Sequence, residues 1–122
     1  HRFGLYDGIL IKDNHIKAVG SIKEAVERVK KAGTRMLKIE VEVENLQQLK
    51  EALYVGVDMI MLDNMPLSML KEAVKITKQY DPSVKLEASG GINLQNIKDI
   101  AETGVDFISI GSITHSAKAI DI

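Results

Sequence analysis

The feature that most constrains the fold of this chain is a repeated alternation between short apolar runs and longer amphipathic stretches. An apolar run followed by a stretch with helical periodicity is the sequence form of one βα unit. Because each connection is long enough to contain a helix, we expect parallel strands joined by right-handed crossovers. The predicted strands lie at residues 9–12, 36–43, 58–62, 85–88 and 107–110.

The stretches between these runs carry helix start signals. Ser21 lies three residues before Glu24, as in a capping box, and further helices are predicted to begin near Asn45, at Pro66 and near Asn93. Their apolar stripes are interpreted as packing faces against the sheet. The chain therefore has an α/β fold, either as a doubly wound open sheet or as part of a (β/α) barrel.

Charged residues inside two predicted strands bear on that choice. On one face of strand 36–43 lie Lys38, Glu40, Glu42 and Glu44, and strand 85–88 repeats the pattern with Lys85, Glu87 and Ser89. An antiparallel strand with one face in water would give the same alternation. Parallel strands are normally covered on both faces, so in them such charges need a water-filled or ligand-filled interior.

Polar or glycine residues also stand where each predicted strand ends: Lys12, Glu42, Asp63, Ser89 and Gly111. In a (β/α) barrel the carboxyl ends of the strands converge on one mouth, which is where catalytic groups are placed. In a doubly wound sheet they would lie along an edge, and charges in several strands would be harder to house. The sequence therefore favours a partial (β/α) barrel with five parallel strands alternating with helices.

Two glycine-containing turns follow the last two predicted strands, Ser89-Gly90-Gly91 and Gly111-Ser112. Exposed N–H groups in such turns favour an anion, and two successive loops of this kind form a common phosphate grip in barrels. The alternative is that these glycines only make tight turns. For the carboxylates Glu42 and Asp63, the alternatives are contacts to ribose hydroxyls, Mg²⁺ binding or the acid pair of a glycosidase.

Composition excludes several classes. The 122 residues suit one domain, and a net charge of −1 without a Lys/Arg run argues against nucleic-acid binding. No apolar stretch is long enough to cross a membrane. The absence of cysteine excludes disulfides and thiolate sites, and a cytoplasmic location is the default expectation. His1, Arg2 and Lys12 favour an anionic substrate over a neutral sugar.

Several motifs together resemble the quinolinate phosphoribosyltransferase family in order and spacing. They are the opening His1-Arg2-Phe3-Gly4-Leu5-Tyr6-Asp7, then Leu10 to His15, Glu40-Val41-Glu42-Val43, Leu62-Asp63-Asn64, Leu86 to Gly91 and Gly111 to Ser116. The resemblance covers essentially the whole chain. It implies a barrel enzyme that converts quinolinate and phosphoribosyl pyrophosphate into nicotinate mononucleotide, CO₂ and pyrophosphate, with Mg²⁺ as cofactor.

The resemblance also implies roles for residues on the acceptor side. His1, Arg2 and Lys12 would bind the two carboxylates of quinolinate. His115 lies in a family motif, and no firm role is assigned to it. Asp13-Asn14-His15 is interpreted as a hydrogen-bonded turn rather than a metal site.

On the donor side, Glu42 and Asp63 would hold the ribose and the metal ion, and Ser89, Gly90 and Gly111 would contact phosphate. Together with Lys12, the two carboxylates are the residues expected to take part in catalysis. Positioning and charge stabilisation should dominate that reaction, and no covalent nucleophile is required.

Members of this family are larger than 122 residues. We therefore expect residues 1–122 to form the C-terminal part of the catalytic barrel, without the N-terminal α/β sandwich domain and the first barrel strands. The intact enzyme is expected to be a homodimer or a higher oligomer, and the chain alone to be inactive. Two alternatives stay open: an isolated half-barrel scaffold, and a related barrel phosphoribosyltransferase that uses another acid.

Overall fold

Five apolar runs of the sequence become parallel strands, and a sixth strand follows them. The computed structural model describes residues 8–32, 38–110 and 113–116. The elements in chain order are β1 (Gly8–Ile11), α1 (Asp13–Val19), α2 (Ile22–Lys31), β2 (Lys38–Val43), α3 (Leu46–Val55), β3 (Met59–Asp63), α4 (Leu67–Tyr80), β4 (Lys85–Ser89), α5 (Ile97–Ala101), β5 (Phe107–Ile110) and β6 (Ile113–Ser116).

The strands lie side by side in chain order, from β1 to β6. The first five are parallel to their neighbours, which confirms the predicted α/β fold with five parallel strands alternating with helices. A doubly wound sheet would reverse its strand order at a switch point. No reversal occurs among the described strands, so the doubly wound alternative is wrong and the sheet is an open segment of the barrel type.

Two described elements were not predicted from the sequence. Helix α1 occupies Asp13–Val19, where the sequence had been interpreted only as a hydrogen-bonded turn. Strand β6 runs antiparallel to β5, with Phe107 paired to Ser116. In addition, α5 begins at Ile97 rather than near Asn93, because the Asn93 carboxamide accepts the backbone N–H groups of Gln95 and Asn96 and closes a separate turn.

The helices pack in chain order, each against the next, from α1 to α5. Successive right-handed crossovers in one direction along a sheet place the helices on the same face. The N-caps follow the sequence signals: the Ser21 hydroxyl accepts Glu24 N–H over 3.1 Å, and the Asn45 side chain accepts Gln48 N–H over 2.9 Å. Within the described ranges, none of the helices is long and apolar enough to cross a membrane.

The two faces of the sheet differ in composition. Toward the helices, register rows such as Val43, Leu62, Ala88 and Ile108 belong to one continuous apolar core. The opposite face, here called the inner face, carries the charged rows. Glu40 pairs with Met59 and Glu87 pairs with Met61, and both glutamates are completely buried. The antiparallel interpretation is therefore wrong, and so is water exposure for Glu40 and Glu87.

The short sequence Gly-Val-Asp precedes both β3 and β5, and in both places its aspartate fastens the preceding strand. Asp58 N–H donates to the Ile39 carbonyl over 3.0 Å, and Asp58 Oδ2 accepts Ile39 N–H over 2.8 Å. Asp106 makes the same two bonds with Leu86, each over 2.9 Å. These paired bonds fix the start of β2 against β3 and the start of β4 against β5.

Candidate active site

A polar cavity opens on the inner face at the carboxyl ends of the central strands. Its volume is about 350 Å³. It is lined by Glu42, Met61, Asp63, Ser89, Gly90, Gly91, Ile92 and Ser109. Four of the residues selected from the sequence, Glu42, Asp63, Ser89 and Gly90, are thus brought together in one place.

Strand register explains why these side chains meet. Glu42 on β2 pairs with Met61 on β3, and Asp63, two residues further along β3, pairs with Ser89 on β4. Side chains two residues apart on a strand point to the same face. The two carboxylates and the serine hydroxyl therefore share the inner face, with Met61 between the rows.

A hydrogen bond joins two of the polar side chains that line the cavity. Ser89 Oγ donates to Asp63 Oδ1 over 3.2 Å, and both side chains are half-buried. Glu42 is also half-buried. Groups in this position are withdrawn from bulk water enough for their charge to act strongly on a ligand, yet stay accessible to it.

The Gly90–Gly91 turn forms one wall of the cavity. Both glycines have positive φ, 80° for Gly90 and 66° for Gly91, a backbone conformation that other residues rarely adopt. A β-carbon on Gly90 would lie 3.1 Å from the backbone nitrogen of Asn64. Glycine is therefore favoured here by both conformation and space, because a side chain on Gly90 would meet Asn64.

Lys12 follows β1 at the same carboxyl edge but does not line the cavity. Its backbone is extended, with φ −99° and ψ 167°, and its side chain is exposed. The β1–β2 register pairs Ile11 with Val41, so its continuation by one residue sets Lys12 beside Glu42. Lys12 N–H also donates to His15 Nδ1 over 3.4 Å, so His15 satisfies the N-cap backbone from the first turn of α1.

Three further residues selected from the sequence, His1, Arg2 and Gly111, lie outside the described residues. His115 lies in β6 and pairs with Ile108. Their roles stay predictions.

Ser109 was not predicted from the sequence to belong to the site, although it lies in the cavity wall with 8% of its surface exposed. The signal was present, because Ser109 is the polar residue between Ile108 and Ile110 and so shares the parity of Glu42 and Ser89. Met61 and Ile92 also line the cavity and were not selected. Apolar residues give no local sign that they face a site rather than a core.

The cavity's donor set can be compared with what Mg²⁺ requires. Mg²⁺ binds carboxylate oxygens, one or two at a time, and keeps waters and substrate oxygens in its remaining positions. Glu42 and Asp63 supply two carboxylates to one cavity, with the Ser89 hydroxyl beside them. In the part of the chain that the structure describes, no group of three or more His, Asp or Glu side chains forms a metal cage. The residues fit an ion held partly by a phosphorylated substrate.

The sheet order and this cavity define the class: a (β/α)-barrel protein with carboxylates and a glycine turn at the barrel mouth. The comparison with known sequences names the family. Residues 1–122 match the model of the quinolinate phosphoribosyl transferase C-terminal domain over the entire chain, and the chain belongs to that family. The resemblance found in the sequence motifs is confirmed.

Relatives and solved structures agree with this assignment. The chain is 50% identical over 122 residues to a probable nicotinate-nucleotide pyrophosphorylase (carboxylating) of Bacillus subtilis, covering 100% of this chain and 41% of that protein. The nicotinate-nucleotide pyrophosphorylase structure from Francisella tularensis superposes with a TM-score of 0.82 at 45% identity, covering 95% of this chain and 40% of that one. The NadC structure from Streptococcus pyogenes superposes with a TM-score of 0.80 at 41% identity, covering 99% of this chain and 41% of that one. The chain thus spans about two fifths of the length of these proteins.

Proposed function

We propose that the intact protein containing this chain transfers a phosphoribosyl group from phosphoribosyl pyrophosphate to quinolinate, with decarboxylation, in the biosynthesis of NAD. The products are nicotinate mononucleotide, CO₂ and pyrophosphate. The observation that carries the proposal is the cavity that joins Glu42, Asp63, Ser89 and the Gly90–Gly91 turn, in a chain of the quinolinate phosphoribosyl transferase family.

The first chemical step joins the acceptor to the sugar. The pyridine nitrogen forms a bond to the anomeric carbon of ribose, and the carbon–oxygen bond to pyrophosphate breaks with both electrons leaving on oxygen. Positive charge develops on the sugar as that bond breaks. The carboxylates of Glu42 and Asp63 would stabilise this charge and accept hydrogen bonds from the ribose hydroxyls. Ser89 orients the Asp63 carboxylate through the bond to its Oδ1.

The second step removes one carboxylate from the product of the first. The bond between the pyridine ring and the carboxylate next to its nitrogen breaks, CO₂ leaves, and the ring carbon keeps the electron pair and takes up a proton. Lys12 is proposed to hold the dicarboxylate in the correct position for both steps, together with His1 and Arg2. Cationic side chains bind carboxylates through charge-assisted hydrogen bonds.

Phosphate binding is assigned to the glycine turn, with Gly111 as a second contact. The bare backbone at Gly90 and Gly91 suits the close approach of phosphate oxygens. Mg²⁺ would be held by Glu42 and Asp63, where it would neutralise the departing pyrophosphate. The residues of this chain would position the substrates. In a reaction without a covalent enzyme intermediate, positioning supplies much of the catalysis.

The remaining parts of the proposal concern the whole protein. Residues 1–122 would form the C-terminal part of the catalytic barrel, completed by segments that pair with the edge of β1 that no other described strand covers. The intact protein would be a cytoplasmic homodimer or higher oligomer, and this chain alone would be inactive. The share of the relatives' length that the chain spans supports the need for further segments.

The test incubates the intact protein with quinolinate, phosphoribosyl pyrophosphate and Mg²⁺ and measures nicotinate mononucleotide by chromatography and CO₂ by trapping. Both products should form in equal amounts. Nicotinate, which has one carboxylate fewer, serves as the control acceptor and should react far more slowly. Turnover with nicotinate but not quinolinate would favour the alternative function, a related barrel phosphoribosyltransferase that uses another acid. No turnover with either would overturn the proposal.

A further inference from the structure

Asn64, immediately after β3, adopts a backbone conformation that is unusual for its residue type. Its φ is 56°, and it is the one non-glycine residue with positive φ in the described ranges. Asparagine enters this left-handed region more readily than other residues, whereas β-branched side chains are excluded from it. Strained backbone of this kind is retained where the surrounding structure requires it, and it clusters at functional sites.

The left-handed turn brings Asn64 against the glycine turn on the neighbouring strand. Asn64 N–H donates to the Ser89 carbonyl over 2.7 Å, one residue past the last register pair of β3 and β4. A β-carbon on Gly90 would lie 3.2 Å from the Asn64 Cα and Cβ atoms, and one on Gly91 would lie 3.3 Å from Asn64 Oδ1. Asn64 therefore occupies the space that a side chain on either glycine would need.

A second asparagine, the N-cap residue of α5, holds the same turn. Asn96 Nδ2 donates to the Gly91 carbonyl over 2.8 Å. Asn96 is itself fixed, because its Oδ1 accepts Asn93 N–H over 2.9 Å while Asn93 Oδ1 accepts Asn96 N–H over 3.1 Å. The turn is therefore held on one side by the bond from Asn64 to the Ser89 carbonyl and on the other by the bond from Asn96 to the Gly91 carbonyl.

Both asparagines act from behind the turn and outside the candidate active site. They line a separate cavity of about 370 Å³, together with Met65, Pro66, Leu67 and Ile100, and the two cavities share only Gly90 and Gly91. Neither asparagine lines the cavity that holds Glu42 and Asp63. Any effect of Asn64 on a ligand in that cavity must therefore pass through its neighbours Asp63 and Ser89 or through the glycine turn.

We propose that Asn64 is a positioning residue that, together with Asn96, holds the Gly90–Gly91 turn in the conformation that binds the phosphate groups of the phosphoribosyl donor. The proposal takes the identity of the donor from the proposed function. The turn is assigned to the phosphate groups of the donor and Lys12 to the carboxylates of the acceptor, so loss of this support is expected to weaken donor binding selectively.

The test compares Asn64→Val, Asn64→Gly and Asn96→Ala in the intact protein. Valine cannot adopt φ near 56°, so Asn64→Val should displace the turn and raise the KM for phosphoribosyl pyrophosphate roughly tenfold to a hundredfold, while the KM for quinolinate stays within about twofold. Glycine adopts the same backbone without strain, so Asn64→Gly should restore most of the loss. Asn96→Ala removes one of the two supports and should give a smaller rise in the donor KM.

Gly56→Val is the matched control for backbone strain. Gly56 has φ 83° at the end of α3, and a β-carbon there would meet nothing within 4 Å. This variant should lower the thermal midpoint as Asn64→Val does and leave both KM values unchanged. If Gly56→Val also raises the donor KM, or if Asn64→Val raises both KM values equally, the effect is one of general stability and the proposal is overturned.

A binding measurement separates this proposal from the proposed function. Calorimetric titration with inorganic pyrophosphate and Mg²⁺ should give a Kd that rises in Asn64→Val and recovers in Asn64→Gly, whether or not the protein turns over quinolinate. Turnover by the wild-type protein with unchanged donor KM in Asn64→Val and Asn96→Ala would overturn the positioning role alone. Absence of pyrophosphate binding in the wild-type protein would overturn it as well. If Asn64→Val does not fold, Asn96→Ala decides the same question.

Discussion

Ser89 Oγ and Asp63 Oδ1 are joined by a hydrogen bond of 3.2 Å across the β3–β4 pair, at the level where both strands reach the cavity. This bond fixes the direction of a carboxylate that is otherwise free to rotate at the end of its strand. It also makes the serine more than a phosphate contact, which is the role implied by the family resemblance.

Replacement of Ser89 by alanine should lower kcat/KM for phosphoribosyl pyrophosphate. The loss of one hydrogen bond to a charged group corresponds to about 1.5–3 kcal/mol, or roughly tenfold to a hundredfold. Steady-state kinetics of the intact protein measure the effect. Ser68 is an exposed serine on α4, and Ser68→Ala is the control that should leave kcat/KM unchanged. Equal kinetics for the two variants would remove Ser89 from the site.

Replacement of Glu42 by glutamine should lower kcat while leaving quinolinate binding nearly intact. The amide keeps the size of the side chain but removes the negative charge that stabilises the developing positive charge on the sugar. Loss of one such interaction reduces kcat by roughly a hundredfold or more. Glu44→Gln, two residues along and exposed, is the matched control. Near-normal turnover of Glu42→Gln would contradict the assigned role.

Replacement of Lys12 by alanine should act on the acceptor rather than the donor. The cation is expected to bind a quinolinate carboxylate, so the KM for quinolinate should rise roughly tenfold to a hundredfold. The KM for phosphoribosyl pyrophosphate should change little. Lys23→Ala, an exposed lysine on α2, controls for the loss of one surface charge. A rise confined to the donor KM would reassign Lys12 to the other substrate.

Strand parity made part of the site predictable from the sequence. Glu42 and Ser89 stand on the polar parity of their strands, and Asp63 ends a third, so parallel strands had to bring them to one edge. That inference needs only local alternation and the direction of the strands. It also led to the correct barrel-type sheet, because charged residues in several strands need a shared interior.

The contact between Asn64 and Gly90 could not be predicted in the same way. It depends on the register of β3 against β4, which places residues 26 positions apart within 3.2 Å once a β-carbon is built on the glycine. Nothing in the sequence near either residue encodes that register. Asp58 and Asp106 fix only the flanking pairs, β2 against β3 and β4 against β5, through bonds that appear once the sheet is assembled.

Removal of the Asp58 carboxylate should therefore destabilise the fold without changing the site directly. Asp58→Ala leaves the Ile39 N–H without its acceptor and should lower the free energy of unfolding by about 1–2 kcal/mol. Asp58→Asn retains one acceptor oxygen and should lose less. Denaturant titration of the intact protein measures both. Equal stability of Asp58→Ala and the wild type would show that the bond between Ile39 and the Asp58 carboxylate does not stabilise the fold.

The turn between α4 and β4 gives a prediction about pH. Hydrogen bonds from the hydroxyl and then the backbone N–H of Ser83 hold the pKa of Asp81 below its usual value, against a small opposing effect of desolvation. Since the folded pKa is lowered, the stabilisation is present above the ordinary pKa of an aspartate and is lost as the pH falls through the lowered value. Ser83→Ala removes the larger cause and should raise the pKa of Asp81 toward normal. Carboxyl NMR titration measures this directly, and an unchanged pKa in Ser83→Ala would show that the hydroxyl is not responsible.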